Sequence, residues 1–478
     1  MKLLKVDQLS IYAHEKCLLE PISFELQQTE KLVILGQTGS GKSLIVQSVM
    51  GTLSYELSSR GELQLFGKII SSKVIQRRFW GNKISALPQE PWNALDPLMP
   101  VGHQLKKTYQ LVRKQNPDEA HEHTQARLTS LGLEQHGHQR VDSLSGGMAQ
   151  RVALACAMAG GASLLLADEP TKGLDASRRD QVVQQLITQT AEGALLLITH
   201  DVEVARQING RVMVIKGGEL VEEGHSDSLF AQPKHEYTKE LIAAAPQQWE
   251  PMEPPSTHKK QTPIHQTKRS TPVLTAQQLS IGRGERQLMS DINLTIHAGE
   301  VIGVAGDSGC GKSTLGDTLL GLIPSFSGSV IRQNQIESHR WQKLYQDPTA
   351  AVPHSASLGL LLDDLVKKYA IARDDIDALM QRLDLNESLL QRSANHVSGG
   401  ELQRFCMLRV LLLKPIFLFA DEPTSRLDPI TAKDVSALLV DVARETNCAV
   451  MLVSHDQHMI KKRCDRTINI PNADIIAH

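Results

Sequence analysis

No apolar run in this chain approaches the roughly 20 residues a membrane-spanning helix needs. No insertion of its own into a membrane is therefore expected. Charge of one sign is also missing: 51 Lys and Arg face 53 Asp and Glu, a net charge of −2. No global basic field points to a nucleic-acid partner, and none is expected. The six cysteines, Cys17, Cys156, Cys310, Cys406, Cys448 and Cys464, include no C-x-x-C pair. That excludes the usual zinc spacings and reads as reduced thiols of a cytosolic protein, not as a disulfide framework. The opening "MKLLKVDQLS" is too short and too polar for a secretory signal.

What is present is repetition. "LSIYAHEK" (9–16) returns as "LSIGRGER" (279–286), and "VILGQTGSGKS" (33–43) as "IGVAGDSGCGKS" (302–313). "LSGGMAQR" (144–151) matches "VSGGELQR" (397–404), and "LLITHD" (196–201) matches "MLVSHD" (451–456). The order never changes, so a whole domain is duplicated, with a shorter stretch between glycine loop and "SGG" in the second copy. The period is far above that of a solenoid. The 478 residues divide into a domain at 1–245, a Pro-rich, aperiodic connecting segment at 246–271, and a second domain at 272–478.

Apolar runs on consecutive positions ("KLVILG", "SLLLAD", "ALLLITH" and their counterparts "EVIGVAG", "IFLFAD", "AVMLVSH") predict strands buried on both faces, as in a parallel sheet. Helical stretches such as "GKSLIVQSVMGTL" and "SRRDQVVQQLITQT" lie between them. The expected class is α/β.

Gly36, Gly39, Ser40, Gly41, Lys42 and Ser43 lie in one G-x-x-x-x-G-K-[ST] loop. Gly306, Gly309, Cys310, Gly311, Lys312 and Ser313 lie in another, followed by Thr314. Glycines let successive N–H groups turn onto the phosphates of a nucleotide, and the lysine reaches the β- and γ-phosphates. Ser43 or Ser313 would ligate Mg²⁺, and the following helix adds its positive end. Asp168 and Asp421 close buried-strand runs, where α/β folds place ligands, and suit the outer shell of Mg²⁺. The adjacent Glu169 or Glu422 can polarise an attacking water.

The "SGG-x-x-Q" motif upstream of each Asp narrows the field: the sequence resembles the ATP-binding cassette (ABC) family over nearly its whole length. The resemblance implies two tandem P-loop NTPase domains. Each has a mainly parallel sheet core, an antiparallel β region and a helical subdomain. It also implies two composite ATP sites formed head to tail, the glycine loop of one domain facing the signature of the other. The signatures are Ser145, Gly146 and Gly147, and Ser398, Gly399 and Gly400. Gln89 and Gln346 match the glutamine loop that senses Mg²⁺ and water; His200 and His455 match the switch histidine. Asp175 and Asp428 match the loop at the domain interface, and Tyr12 the aromatic residue that stacks on adenine. The second copy has Ile281-Gly282-Arg283 there, so either Arg283 stacks instead or adenine binding is weaker.

"LPQEPWNALDPLMPVGHQL" and "AQPKHEYTKELIAAAP" (231–246) are similar to segments of peptide/nickel importer ATPases. The implied function is ATP hydrolysis, with ATP and Mg²⁺ as cofactors, energising an importer at the cytoplasmic face of the inner membrane. The implied partners are two transmembrane permease subunits and, through them, a substrate-binding protein. Segments near 90–143 and 347–396 would contact the permease. The competing reading is a tandem ABC ATPase acting on ribosomes, but the connecting segment lacks the helical periodicity of such an arm. The histidine-dense stretch 121–138 reads as a solvated face.

Overall fold

The computed structural model describes the chain apart from residues 71–75, 90–93, 145, 175, 252–271, 307–308, 471–473 and 478. It separates into two units, Met1–Ala245 and Pro246–His478.

The strongest sequence signal, unbroken apolar runs, becomes the centre of each unit. In the first, Lys31–Leu35, Leu164–Asp168 and Ala194–Thr199 are strands with nearly every residue buried. β-branched and leucine side chains on both faces cannot tolerate water on either, so helices cover the sheet on both sides. A fully buried leucine here contributes about 1.5–3 kcal/mol. The six-stranded sheet runs, edge to edge, Ile84–Leu87, Leu164–Asp168, Ala194–Thr199, Lys31–Leu35, Arg211–Lys216 and Glu219–His225. All neighbours are parallel except the last pair.

The second unit repeats this order: Trp341–Leu344, Phe417–Asp421, Ala449–Val453, Val301–Ala305, Arg466–Asn469 and Asp474–Ala477. Again only the last pair is antiparallel. The α/β expectation of two tandem domains with parallel cores is met.

Each unit adds an antiparallel sheet. In the first, Lys2–Ala13 pairs with Lys16–Gln27 and Leu57–Leu65, and Lys68–Ile69 closes the edge. In the second, among the described residues, Pro272–Arg283 pairs with Arg286–His297 and Ser327–Arg332. The shorter second copy thus has a smaller antiparallel region. Between Gln89 and the first signature lie the helices Val101–Val112 and Pro117–Ser130, the latter started by an Asn116–Glu119 capping box. Leu358–Tyr369 and Arg373–Arg382 hold the same place in the second unit.

Pro246–Gln248 forms a short 3₁₀ turn, and the buried Trp249 that follows joins the core of the second unit. Its ring lies 4.5 Å from the Arg463 guanidinium. Within the histidine-dense stretch, His123 meets Gln115 at 2.9 Å and His136 meets Gln139 at 3.1 Å. Among the described residues no three His, Cys, Asp or Glu side chains come together as a metal site.

Four adjacent parallel strands of each sheet end on the same edge. The glycine loop, the Asp-Glu pair, the histidine and the glutamine therefore meet although the chain separates them widely.

Candidate active site

The first glycine loop leaves the strand Lys31–Leu35 and enters the helix Lys42–Met50. Gly39 and Gly41 have φ of 84° and 87°, a left-handed backbone that a Cβ would strain. A Cβ on Gly36 would lie 2.2 Å from the Ile215 carbonyl oxygen, so only glycine fits there. The buried Lys42 amine donates to the carbonyls of Gly36 (2.8 Å) and Gln37 (2.5 Å), which holds its charge inside the loop. In the second unit Lys312 donates to Gly306 O at 2.8 Å. Gly309 and Gly311 are left-handed at 82° and 109°. Cys310 Sγ lies 2.9 Å from where a Cβ of Gly306 would stand, so a small side chain fills a tight turn.

Beside each loop stands the strand-end aspartate. Ser43 Oγ donates to Asp168 Oδ1 at 3.1 Å, and Ser313 is close enough to Asp421 to favour its charged form. Burial pushes both carboxyls above their usual range, against the lowering serine bond. A hydroxyl and a carboxylate side by side are the hard oxygen donors Mg²⁺ accepts, so the residues fit that ion.

Glu169 and Glu422 follow, both in the left-handed region, with φ of 44° and 47°. Neither is glycine or asparagine, so each costs about 1–3 kcal/mol of backbone strain. The turn is fixed in the first unit by Glu169 N donating to Ile198 O at 2.9 Å. The Glu169 carboxylate meets His200 Nδ1 at 3.0 Å, Gln89 Nε2 at 3.3 Å and Lys172 Nζ at 3.3 Å. Burial works against its charge, but the His200 bond and the charges of His200, Lys172 and Lys42 prevail and hold the carboxyl down at about 2. The constellation returns in the second unit, where Glu422 meets His455 Nε2 at 2.5 Å and Gln346 Nε2 at 2.7 Å. Each glutamate is thus gripped on two sides and next to the carboxylate that faces the glycine loop, and Glu169 is held ionised.

The signature helices begin at Gly146 and Gly399. Ser398 caps the second, its Oγ accepting from Glu401 N at 3.2 Å while the Glu401 carboxylate takes the Ser398 amide. Asp428 caps the helix Pro429–Thr446, accepting from Ile430 N and Thr431 N. Ser145 and Asp175 lie outside the described residues.

Tyr12 is half-buried with the Arg60 guanidinium 4.8 Å from its ring centroid. In the second unit Arg283 is largely exposed and lies 3.9 Å from Asp317. The space a side chain at 282 would enter is taken by Phe326, whose Cε2 lies 2.6 Å from the Cβ position.

One contact had no sequence signal. Tyr237 Oη accepts from the Gln37 amide at 2.8 Å, so the "HEYT" segment reaches the glycine loop. The segment is tied down locally. Glu222 accepts from the amides of Lys234 and His235 at 2.9 and 3.0 Å, and His235 caps the helix Glu236–Ala243.

The sequence pattern of the ABC transporter family matches residues 19–172 and 289–425, once in each unit. The chain belongs to the ABC transporter family. It is an ATP-binding protein of that family and, with it, an ATPase. It is 30% identical over 508 residues to the peptidoglycan transport ATP-binding protein YejF of Agrobacterium fabrum, covering 99% of this chain and 92% of the relative. It is 29% identical over 499 residues to the glutathione import ATP-binding protein GsiA of Salmonella choleraesuis, covering 92% and 80%. Among solved structures it is similar to an archaeal ribosome recycling factor, aABCE1, crystallised with a ribosomal stalk protein. The TM-score is 0.65 at 22% identity, with 98% of this chain and 88% of that one covered, a likeness of fold alone.

Proposed function

We propose that the chain is the ATP-hydrolysing subunit of an ABC importer of the peptide/nickel type, with both nucleotide sites able to hydrolyse. The observation that carries the reading is the duplicated glutamate, held by a histidine and a glutamine in each unit. No helix among the described residues is long and apolar enough to cross a membrane, so solute passage would need partner subunits. The similar import and transport ATP-binding proteins favour two permease subunits and a substrate-binding protein as those partners. The working place is then the cytoplasmic face of the inner membrane. The solved neighbour that acts on ribosomes lends no weight to a translation role, because at 22% identity it speaks only for fold.

The chemistry follows from the residues. Lys42 and Lys312 would draw the β- and γ-phosphates into the loops, whose N–H groups hold them. Ser43 with Asp168, and Ser313 with Asp421, would hold Mg²⁺, which when bound neutralises phosphate charge as the γ-phosphoryl leaves. Glu169 and Glu422 would orient and polarise the attacking water, His200 and His455 would keep those carboxylates aimed, and His200 helps to hold Glu169 ionised. By the family resemblance, the signature residues Ser145-Gly146-Gly147 and Ser398-Gly399-Gly400 would supply N–H groups and a hydroxyl to a γ-phosphate. ATP-driven closing of the domains would move the permease.

Purification of the tagged protein from cells solubilised in mild detergent tests the reading. A stoichiometric pair of polytopic membrane proteins is the expected companion. Ribosomal proteins without a permease would overturn it.

A further inference from the structure

The two units differ in one buried cluster beside the Asp-Glu pair. Lys343, on the strand Trp341–Leu344, has only 8% of its side chain exposed. Its amine lies 2.6 Å from Asp317 Oδ1 and 3.8 Å from Asp421 Oδ2. Asp317 sits on the helix Lys312–Leu320 that leaves the glycine loop, and Asp421 is the carboxylate beside Ser313. Arg283 approaches Asp317 as well, at 3.9 Å. Asp317 is therefore neutralised from two directions, while Lys343 still faces Asp421. The rings of Tyr345 and Phe419 lie 5.0 and 5.7 Å from the amine, and their negative faces favour a cation at this point.

Among the described residues the first unit shows no such cluster. Strand register sets Ala86 opposite Leu166 as it sets Lys343 opposite Phe419. Gln47 follows Lys42 at the spacing by which Asp317 follows Lys312. An alanine and a glutamine thus replace a buried ion pair at the same two places.

We infer that Lys343 is a built-in counter-charge to Asp421 that makes the second nucleotide site hold Mg²⁺ more weakly than the first. The inference rests on the nucleotide-site reading above. Asp421 draws a divalent ion by its negative charge, and a fixed ammonium 3.8 Å away cancels part of that charge and repels the ion. Little water reaches the cluster to screen either effect. The same ammonium offsets part of the phosphate charge, so the second site depends less on Mg²⁺ to retain a nucleotide. Lys343 is a positioning residue in this scheme, acting on the ion through Asp421. The chain would then carry one site that needs the metal tightly and one that does not.

The test is equilibrium binding of a fluorescent ATP analogue to full-length protein across free Mg²⁺ concentrations. Lys42→Ala leaves the second site to be read, and Lys312→Ala leaves the first. The expected Mg²⁺ midpoint is about tenfold higher in Lys42→Ala than in Lys312→Ala, an electrostatic effect of one partly screened charge. Adding Lys343→Gln to Lys42→Ala should bring the midpoint down to within about threefold of the first site. Adding Asp317→Asn instead should raise it, because the ammonium loses its other carboxylate; a packing role alone would not split the two variants by sign. Removing one partner of a buried ion pair can unfold a protein. The reciprocal change avoids that risk: Ala86→Lys with Gln47→Asp, in Lys312→Ala, should raise the midpoint of the first site. Midpoints equal within about twofold in the two single-lysine variants, or unmoved by both Lys343→Gln and the transplanted pair, would overturn the inference. A second site that binds no analogue at any Mg²⁺ concentration would instead bring down the nucleotide-site reading, and this inference with it.

Discussion

Tyr237 accepts a hydrogen bond from the backbone amide of Gln37 at 2.8 Å, across 200 residues of sequence. The phenol is almost fully buried, and the Lys216 amine lies 4.9 Å from its ring centroid. A tail segment after the last strand of the sheet therefore sets the entrance to the first glycine loop.

Tyr237→Phe should weaken ATP binding at the first site about fivefold, the worth of one hydrogen bond near 1 kcal/mol. Equilibrium binding in a Lys312→Ala background measures it. The second site, read in Lys42→Ala, should be unchanged. An effect of equal size at both sites would mean that Tyr237 acts by general stability and not on the loop.

Glu169→Gln and Glu422→Gln should each bring steady-state phosphate release to half of wild type or below. Together they should lower it by about 10²–10⁴, the usual worth of a positioned base. ATP binding should persist in all three, because neither glutamate belongs to a glycine loop. Should each single variant keep more than about half of the activity, the base has been misassigned.

The Glu169 carboxyl is held at about 2 instead of its ordinary 4.5. With the folded value depressed, its contribution to stability is complete above about pH 4.5 and drains as pH falls toward 2. His200→Ala removes the strongest lowering contact and leaves burial, which acts upward. The acid limb of single-turnover hydrolysis at the first site should therefore move to higher pH in His200→Ala. An acid limb that stays in place would separate Glu169 from the reaction.

Cys310 is half-buried in the second glycine loop, whereas Cys406, Cys448 and Cys464 are buried. Burial pushes Cys406 and Cys448 up to about 11 and 12, and Cys464 upward as well, so these thiols resist alkylation. N-ethylmaleimide should inhibit hydrolysis, and bound ATP should protect. In Cys310→Ala the inhibition should vanish; its persistence would remove the idea.

Much of this is legible in the sequence. Unbroken apolar runs predict two-sided burial, and Leu164–Asp168 and Phe417–Asp421 fold that way because no face of them tolerates water. Gly36, Lys42 and Ser43 sit together in sequence, so their motif exposes them. Family resemblance points to His200 and Gln89, and the structure adds their shared grip on Glu169. The Tyr237–Gln37 bond and the Lys343–Asp317 pair left no sequence trace, because each joins residues on different elements at no fixed spacing. The positive φ of Glu169 and Glu422 was equally silent: where a glycine would announce a left-handed turn, a glutamate hides it.

Those two glutamates carry a consequence for the chain's history and its engineering. Each occupies a backbone conformation that glycine would hold without strain and asparagine with little. With Glu169 and Glu422 in the proposed role, a selection for thermal robustness alone would find its easiest gains by replacing them, and would silence the enzyme as it succeeded. A hydrolysing lineage must keep resisting that drift at both positions. Glycine or asparagine at just one of them in a related sequence would therefore mark a half that has given up turnover and kept its fold.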